Sequence, residues 1–474
     1  MKQNNNKTCG FSWEGKSGAA AEVKLPANKI FRPVKEDSKD WDTTENVYIE
    51  GDNLDALKLL QENYHGKIKM CYIDPPYNTG NDFIYHDDFT HWCGMMYPRL
   101  ALARNLLTPD GVIFISIDDR ELARLRMICD EIFGENNFIG ILSVENNPKG
   151  RKNSSFISVS SEYCVIFAKQ KENARFIENI PKKACDMALD EDEDGKFVHN
   201  SGKRVLVGEN CFNKRVTKKD SEKNYSVYYR ANDRQLQVVK EDYGEINGCF
   251  IAEGYVKYYS HNNGKLIENT YTESKFCELF EKRALKFSNN KIYEKNFSDT
   301  VRIKSQLSNR RYEAIVKGKK QNYSMELTTT GAGTYIKDLF GVTESPFSSP
   351  KNIGFLKLLI SLFENEPFTI LDFFSGSATT ADAVMRLNAE NNGKRKFIMV
   401  QLPENLDDNL KKANNAAAKR TIQSAISICD KLNKPRLLSE IGKERIRLAG
   451  EKIKKETGAD IDTGYRVFKL AETE

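Results

Sequence analysis

The chain has 474 residues, of which 39% are hydrophobic and 29% are charged, and its formal net charge is +5. This length predicts two or three domains, and no apolar run approaches the roughly 20 residues that a membrane span needs. Because the N-terminus lacks the apolar core of a signal peptide and the ten cysteines include no C-x-x-C pair, we expect a cytoplasmic protein with reduced thiols and no structural metal.

Strands and helices alternate in the first third of the chain. Nearly continuous apolar runs indicate strands that are covered on both faces, and leucines at helical spacing indicate helices between them. Strands are predicted at 46–52, 67–74, 112–118, 138–146 and 162–170. The last two are expected to form an antiparallel pair at an edge of the sheet.

A basic segment follows, in which regular periodicity is lost. Residues 201–320 carry 25 Lys and Arg against 15 Asp and Glu, a net charge of +10, and they hold ten of the twenty tyrosines. A polyanion-binding domain needs such a composition. A solvated face without a ligand would show the same charge and is the alternative.

Regular α/β patterning returns near residue 350. Strands are predicted at 368–374 and 396–402, each preceded by a helix, and the chain after residue 405 reads as charged helix. Neither α/β segment is large enough for a complete domain, but together they supply about seven strands, enough for one doubly wound sheet. Ligands of such sheets bind at the carboxyl ends of strands, near the point where the strand order reverses.

A stiff corner, Asp74-Pro75-Pro76-Tyr77, follows the strand predicted at 67–74. Each proline fixes its own φ angle and donates no backbone hydrogen bond. The Asp74 side chain and the Pro75 carbonyl can accept both hydrogens of one exocyclic amino group, and Tyr77 can stack on the ring that carries the amine. The alternative is a proline-rich turn that only closes the strand.

A second candidate site is the stretch LDFFSGSATTADAV, which reads as a strand, a glycine-containing turn and a helix. Asp372 ends the strand and can accept hydrogen bonds, and Gly376 lets the backbone approach a ligand. Asp52 ends another predicted strand. Both sites have ordinary alternatives, since such a turn can simply connect a strand to a helix and Asp52 can be the N-cap of the helix that follows.

Taken together, these motifs resemble those of β-class, adenine-specific DNA methyltransferases, and most closely those of the modification (Mod) subunits of type III restriction–modification systems. The stretches that carry the resemblance are IEGDNLDALKLLQENY, KIKMCYIDPPYNTG, MYPRLALARNLLTPDGVIFISIDDRE, FSSPKNIGFLKLLI, LDFFSGSATTADAVMRLNAE and RKFIMVQLPE. The resemblance implies an α/β fold with a seven-stranded, Rossmann-like S-adenosylmethionine-dependent methyltransferase sheet in permuted order. It also implies an inserted target-recognition domain and a helical C-terminal tail.

The same resemblance implies a division of the chain into five segments. They are an N-terminal extension (1–44), the first part of the methyltransferase domain with the corner motif (45–170), a target-recognition domain (171–330), the second part of the methyltransferase domain with the cofactor turn (331–405) and a helical C-terminal segment (406–474).

Site residues are likewise implied by the resemblance. Asp74 and the Pro75 carbonyl would hold the N6 amine, Pro76 would stiffen the corner, and Tyr77 would stack on a flipped adenine. The residues implied to bind S-adenosylmethionine are Asp52, Lys351, Asp372, Phe374, Ser375, Gly376 and Ser377.

The chain departs from the family pattern at two places that bear on the site. Gln401 stands at a strand end where many methyltransferases carry an acid for the ribose hydroxyls, so Glu404 is an alternative for that contact. Only the six residues THWCGM separate DDF from the MYPRL helix, where relatives usually carry an insertion of tens of residues.

The implied partners are double-stranded DNA, with a homodimer and a restriction (nuclease/helicase) subunit left open. Two other functions are also left open. One is methylation of cytosine N4, which uses a similar corner but more often carries Ser at the position of Asp74. The other is a catalytically inactive DNA-recognition subunit that guides a nuclease.

Overall fold

A computed structural model of the chain describes residues 10–79, 91–150, 156–186, 189–191, 197–218, 220–241, 244–316 and 319–472. The chain forms two compact units. Unit 1 consists of Met1–Asn179, Arg302–Arg311 and Ser324–Glu474, and unit 2 consists of Ile180–Val301 and Tyr312–Tyr323. Both ends of the chain therefore contribute to unit 1. No described helix is long and apolar enough to cross a membrane.

Twelve α-helices are assigned within the described residues. They are α1 (Lys16–Glu22), α2 (Asn53–Tyr64), α3 (Trp92–Leu106), α4 (Leu122–Phe133), α5 (Gly248–Ala252), α6 (Glu273–Glu281), α7 (Thr329–Phe340), α8 (Ile353–Ile360), α9 (Thr379–Asn391), α10 (Leu406–Lys412), α11 (Ala416–Lys431) and α12 (Leu438–Thr457).

The strands of the same residues include many short ones between residues 180 and 325. In chain order they are β1 (Lys29–Pro33), β2 (Val47–Glu50), β3 (Ile68–Ile73), β4 (Leu107–Ile117), β5 (Phe138–Val144), β6 (Glu162–Ala168), β7 (Ile180–Pro181), β8 (Leu189–Glu191), β9 (Phe197–Gly208), β10 (Ser226–Arg230), β11 (Gln235–Val239), β12 (Val256–Tyr258), β13 (His261–Asn262), β14 (Lys265–Leu266), β15 (Leu285–Ser288), β16 (Lys291–Asn296), β17 (Thr300–Val301), β18 (Gln306–Leu307), β19 (Arg310–Val316), β20 (Lys319–Met325), β21 (Thr369–Asp372), β22 (Lys396–Gln401) and β23 (Arg466–Glu472).

Unit 1 is built on a ten-stranded sheet in the order β1-β23-β2-β22-β21-β3-β4-β6-β5-β18. The strands from β23 to β4 run parallel to one another, whereas β1 is antiparallel to β23 and β6 is antiparallel to both β4 and β5. The central strands are largely apolar, as expected of strands covered on both faces, and β3 buries five of its six residues. The strand order reverses between β21 and β3, and at that point the carboxyl ends of parallel strands offer a ligand site.

All seven strands predicted from the sequence are present in this sheet, and the 368–374 strand lies beside the 67–74 strand, as the two-part assembly requires. Three further strands are not predicted. They are β1 in the N-terminal extension, β23 in the segment predicted to be helical, and β18 in the segment predicted to be a recognition domain. These are edge or near-edge strands that are only partly buried, so they lack the continuous apolar run that marks the inner strands.

Unit 2 contains fewer residues than the segment 171–330 that is predicted to be the target-recognition domain. Residues 171–179, 302–311 and 324–330 of that segment belong to unit 1. It contains a four-stranded sheet in the order β15-β16-β9-β8 and a three-stranded sheet in the order β11-β10-β12. Its own apolar core includes Leu206, Val227, Phe276 and Ile292. Short strands and polar turns explain why this region shows no regular period in the sequence.

Candidate active site

Two cavities lie at the carboxyl ends of β21 and β3, both within unit 1. The first has a volume of about 260 Å³ and the second of about 580 Å³. Of the predicted site residues, the first cavity is lined by Asp52, Asp74, Pro76, Lys351, Asp372, Phe374, Ser375, Gly376 and Ser377. The second is lined by Asp74, Tyr77 and Lys351. Asp74 and Lys351 therefore belong to both cavities and mark the junction between them.

Pro75 is the one predicted site residue that lines neither cavity. It is buried behind the corner. The acceptor function of its carbonyl stays a prediction.

The turn after β21, residues 372–378, is folded around the Asp372 carboxylate. The backbone N–H of Phe374 donates to Asp372 Oδ1 at 3.1 Å, and the Thr380 hydroxyl donates to Asp372 Oδ2 at 2.5 Å. Burial raises the pKa of Asp372 to about 7, although both hydrogen bonds act in the opposite direction. Gly376 has a φ of +50°, in the left-handed region where glycine is favoured.

Gln401, at the end of β22, fixes this turn from the neighbouring strand. Its side-chain oxygen accepts a hydrogen bond from the Gly376 N–H at 2.7 Å, and the Ser375 N–H donates to the Val400 carbonyl at 3.2 Å. The side-chain oxygen of Gln401 therefore forms its hydrogen bond with the turn. Glu404 also lines the first cavity, so it stays the candidate for the ribose contact.

The other end of the turn is held by Arg445 on α12, a residue that the sequence does not single out. The Arg445 guanidinium donates to the Ser377 hydroxyl at 2.9 Å and to the Thr379 hydroxyl at 2.7 Å, and it pairs with Asp382 at 3.2 Å. Arg445 is only 1% exposed. Ser377 thus lines the cavity while its hydroxyl is bound to protein.

The corner after β3 is anchored by Trp92, the first residue of α3. Its indole N–H donates to the Pro76 carbonyl at 2.8 Å, and its side chain is buried. Trp92 belongs to the short THWCGM stretch that replaces the usual insertion, of which residue 90 lies outside the described part of the chain. Part of this stretch therefore supports the corner directly.

Four side chains meet at the junction of the two cavities, and we call them the junction cluster: Asp74, Tyr77, Glu162 and Lys351. The Lys351 ammonium lies 2.7 Å from Glu162 Oε2, 2.6 Å from the Tyr77 hydroxyl and 3.3 Å from Asp74 Oδ1. The Tyr77 hydroxyl donates to Asp74 Oδ1 at 2.9 Å. Glu162, at the start of β6, is the member that sequence reasoning misses.

Burial and charge act against each other in the junction cluster. Burial raises the pKa of Asp74, and the nearby Lys351 ammonium acts against this rise. Burial alone would lower the pKa of Lys351, but Asp74 and Glu162 outweigh it and the pKa is raised. Lys351 is therefore a cation held between two carboxylates.

Asp52 is a helix N-cap and also lines the first cavity. Its carboxylate accepts a hydrogen bond from the Leu54 N–H at 2.7 Å, which makes it the N-cap of α2. It also pairs with Arg99 on α3 at 3.1 Å and lines the first cavity. The cap and the arginine fix its direction, so a ligand contact would be made by an oriented carboxylate.

One group of carboxylates, within the residues that the structure describes, is close enough to hold a metal ion, and it lies outside both cavities. It consists of Asp37, Glu50 and Glu440. Lys443 lies 2.6 Å from Glu50, 2.8 Å from Glu440 and 3.3 Å from Asp37, and its side chain is buried among them. This is the arrangement of an ion-pair network.

Comparison with known proteins agrees with this geometry. A family of DNA methylases, N6_N4_Mtase, matches residues 68–412. The EcoPI Mod subunit of a type III restriction–modification enzyme from Escherichia phage P1 is 30% identical over 433 residues, covering 83% of this chain and 63% of the relative. The EcoP15I Mod subunit from Escherichia coli is 30% identical over 457 residues, covering 84% and 65%.

A shorter relative, the type II methyltransferase M.KpnI from Klebsiella pneumoniae, is 30% identical over 379 residues, covering 76% of this chain and 81% of the relative. The chain thus spans less than two thirds of the length of the two Mod subunits and most of the length of M.KpnI.

Proposed function

Because the chain belongs to the N6_N4_Mtase family of DNA methylases, we propose that it transfers a methyl group from S-adenosylmethionine to the N6 amine of an adenine in double-stranded DNA. The observation that carries this proposal is the meeting of two cavities at Asp74 and Lys351. A cofactor in one cavity and a base in the other would bring a methyl donor and an acceptor amine together at this junction.

S-adenosylmethionine would bind in the first cavity. A Cβ added at Gly376 would meet its nearest atom at 3.9 Å, so the space over the turn is open. Asp372 and Asp52 offer carboxylates at the strand ends and Phe374 offers a ring. When bound, the cofactor supplies an electrophilic methyl group on a positively charged sulfur.

Asp74 would act as a hydrogen-bond acceptor for the target amine. A carboxylate is far too weak a base to deprotonate the N6 amine of adenine, but two acceptors, the Asp74 side chain and the Pro75 carbonyl, would direct the nitrogen lone pair. The corner is preformed by the prolines and by the Trp92 hydrogen bond to Pro76. Such preorganisation lowers the barrier because no rearrangement is needed during the reaction.

The target adenine would enter the second cavity after leaving the DNA stack. Tyr77 lines this cavity, and stacking of a base on an aromatic ring contributes about 1–3 kcal/mol. The hydroxyl of Tyr77 is held by Asp74 and Lys351, which fixes the ring. Methyl transfer would then proceed directly, without a covalent intermediate on the protein.

We further propose that seven of the ten strands form the methyltransferase sheet in permuted order. They are β2, β22, β21, β3, β4, β6 and β5. The corner-bearing β3 precedes unit 2 in the chain and the cofactor-bearing β21 follows it. In this proposal β1, β23 and β18 extend the sheet at its edges.

Unit 2 would be the target-recognition domain. A cavity of about 570 Å³ within it is lined by five cationic residues and by no carboxylate. The cations are Arg230, Arg234, Arg283, Lys286 and Lys295. Tyr229 and Phe287 stack in its wall with their ring centres 3.6 Å apart. Cations beside aromatic rings favour contacts with a DNA strand.

This part of the proposal can be tested by comparing Lys286→Gln with the control Lys275→Gln. Lys275 is an exposed lysine on α6 that pairs with Glu278 and lies outside the cavity. We expect Lys286→Gln to weaken DNA binding to a similar extent for all sequences. The slope of log affinity against log salt concentration should become shallower by about one, as expected for one lost phosphate contact. Equal effects of the two substitutions would place the DNA contact elsewhere.

The names of the relatives support a role as the Mod subunit of a type III restriction–modification system, with a restriction subunit as partner. The proposed site of action is the cytoplasm. A homodimer is a further part of the proposal. Co-expression with a type III restriction subunit, followed by measurement of the mass of the purified complex, would test both partners.

Methylation of cytosine N4 is the second candidate, because the family that matches the chain includes both N6 and N4 enzymes. One experiment separates the candidates. The chain is expressed in a methylation-deficient bacterium, and modified bases are mapped across the DNA, with Asp74→Ala as control. We expect N6-methyladenine at one recognition sequence. N4-methylcytosine would establish the second candidate, and no modification together with no cofactor binding would leave a recognition subunit.

A further inference from the structure

The Lys351 ammonium stands where the two cavities meet, and a cation at that place needs an explanation. An ammonium has three N–H donors. Three acceptor groups surround it, on Tyr77, Glu162 and Asp74, at 2.6, 2.7 and 3.3 Å. Its hydrogen bonds are therefore satisfied by the junction cluster itself.

An isolated ammonium at this place would oppose the proposed cofactor. The sulfonium of S-adenosylmethionine carries a positive charge, and Lys351 lines the cavity in which it would bind. Two like charges in a partly buried site repel each other strongly, because the effective dielectric constant is far below that of water. Some group must cancel the charge of Lys351 while both substrates are bound.

Glu162 is suited to this task. It lines the second cavity only, it is 4% exposed, and both of its carboxylate oxygens lie within 2.8 Å of the Lys351 ammonium. Asp74 is less suited, because its carboxylate would be needed by the target amine. With Glu162 and Asp74 ionised and Lys351 protonated, the junction cluster carries a net charge of −1.

We propose that Glu162 is a positioning residue that holds the Lys351 ammonium at the junction of the two cavities and cancels its charge, so that a cationic sulfonium can bind beside the target amine. This inference rests on the proposed function, since it takes S-adenosylmethionine as the ligand. It differs from a purely structural ion pair, which would join β6 to the chain before α8 without discriminating between ligands of different charge.

The test compares two ligands of nearly equal shape and different charge. S-adenosylhomocysteine lacks the methyl group and carries a neutral thioether in place of the sulfonium. Dissociation constants for both ligands are measured by calorimetry for the full chain, and the ratio of the two constants is the readout. A loss of folding or of cavity shape changes both constants together and leaves their ratio unchanged.

Glu162→Gln changes the charge of the junction cluster from −1 to 0 at nearly constant shape. We expect S-adenosylmethionine to bind roughly tenfold or more weakly relative to S-adenosylhomocysteine. The double variant Glu162→Gln with Lys351→Met removes the ammonium together with its counter-charge, so no cation is left to repel the sulfonium, and we expect the ratio to return towards that of the wild type. This rescue also guards against a single variant that fails to fold, because the double variant leaves no buried charge of the pair unpaired.

Glu390→Gln is the matched control. Glu390 is exposed, and it forms an ion pair with Lys357, a residue of α8 that is close to Lys351 in sequence. Both residues of this pair lie outside the two cavities. We expect Glu390→Gln to leave the ratio of the two dissociation constants unchanged.

A constant ratio in all variants, with binding of both ligands intact, would overturn this inference and leave the proposed function standing. Failure of the wild type to bind either ligand would overturn the proposed function itself.

Discussion

Two neighbouring parallel strands, β3 and β21, end in turns that are stabilised in different ways. The turn after β21 is held mostly by backbone N–H groups and hydroxyls, with Gln401 of the adjacent strand β22 as an acceptor, and one charged side chain, Arg445, contacts its far end. The corner after β3 is stiffened by proline and surrounded by charges from distant parts of the chain, Glu162 and Lys351. The turn after β21 therefore depends mainly on its backbone, whereas the corner after β3 depends mainly on charge.

The two carboxylates at these strand ends show the same contrast. Asp74 has a cation within 3.3 Å, which acts against the rise in its pKa caused by burial. Asp372 has only a hydroxyl and a backbone N–H as partners among the described residues, and burial raises its pKa to about 7. Burial therefore raises the pKa of both carboxylates, and of the two only Asp74 has a cation beside it that opposes the rise.

The largest expected effect is on the corner. Asp74→Ala removes the acceptor of the target amine, and we expect methyl transfer to fall by several orders of magnitude. DNA still binds, and the cofactor binds only roughly tenfold more weakly, because the junction cluster loses one negative charge. Transfer of labelled methyl groups, with calorimetric measurement of cofactor binding, checks this. A near wild-type rate would show that the corner does not carry the chemistry.

Two substitutions of Tyr77 distinguish the contribution of its ring from that of its hydroxyl at the same corner. Tyr77→Ala removes the ring, and a loss of about 1–3 kcal/mol of stacking predicts a rate roughly tenfold to a hundredfold lower. Tyr77→Phe keeps the ring and loses only the hydroxyl contacts with Asp74, Glu162 and Lys351, so we expect much of the activity to be retained. If both variants lose activity equally, the hydroxyl matters more than the stacking face.

Gly376 tests whether the cofactor turn depends on its backbone. An added Cβ would meet no atom closer than 3.9 Å, so the cost of Gly376→Ala comes from its φ of +50° and amounts to about 1–2 kcal/mol. We expect roughly tenfold weaker cofactor binding in calorimetry. Gly18→Ala, within α1 and with open space around it, is the control and should leave cofactor binding unchanged.

The smallest expected effect concerns stability and pH. The pKa of Asp372 is about 7 in the folded protein and 3.8 as its reference value, so between these values the folded state holds a proton that the unfolded state has lost. The free energy of unfolding therefore falls as pH rises from about 4 to about 7. Asp372→Asn removes this pH-dependent loss of stability, so we expect the melting temperature of the variant relative to the wild type to be a few degrees higher at pH 8 than at pH 4.5. Parallel pH profiles would contradict the raised pKa.

The two turns could be found in the sequence because each is contiguous and follows an apolar strand. Glu162 could not, because its partners are distant in the chain; the available signal was a lone carboxylate heading the otherwise apolar strand EYCVIFA. Arg445 was hidden among many charges of α12. Burial of a charged side chain is a tertiary property, so spacing alone does not reveal it.

The stretch TTTGAGTYIKDLFG shows a different limit of sequence reasoning. It is rich in glycine and no strong strand precedes it, which predicts a loop, but the structure contains the helix α7. The Thr328 side chain caps the helix by accepting a hydrogen bond from the Gly331 N–H, and Ile336 is fully buried. Capping and packing offset the low helix propensity of glycine, which costs about 1 kcal/mol per residue.

The order of strands in the sheet also has a consequence during synthesis on the ribosome. β2 lies between β22 and β23, so it has no neighbour until roughly 350 further residues have been made. The half-made chain carries the corner with an unpaired strand edge, which favours aggregation until the later strands arrive. A product truncated before β21 would bear the corner without the turn after β21, and on the proposed function it would transfer no methyl group.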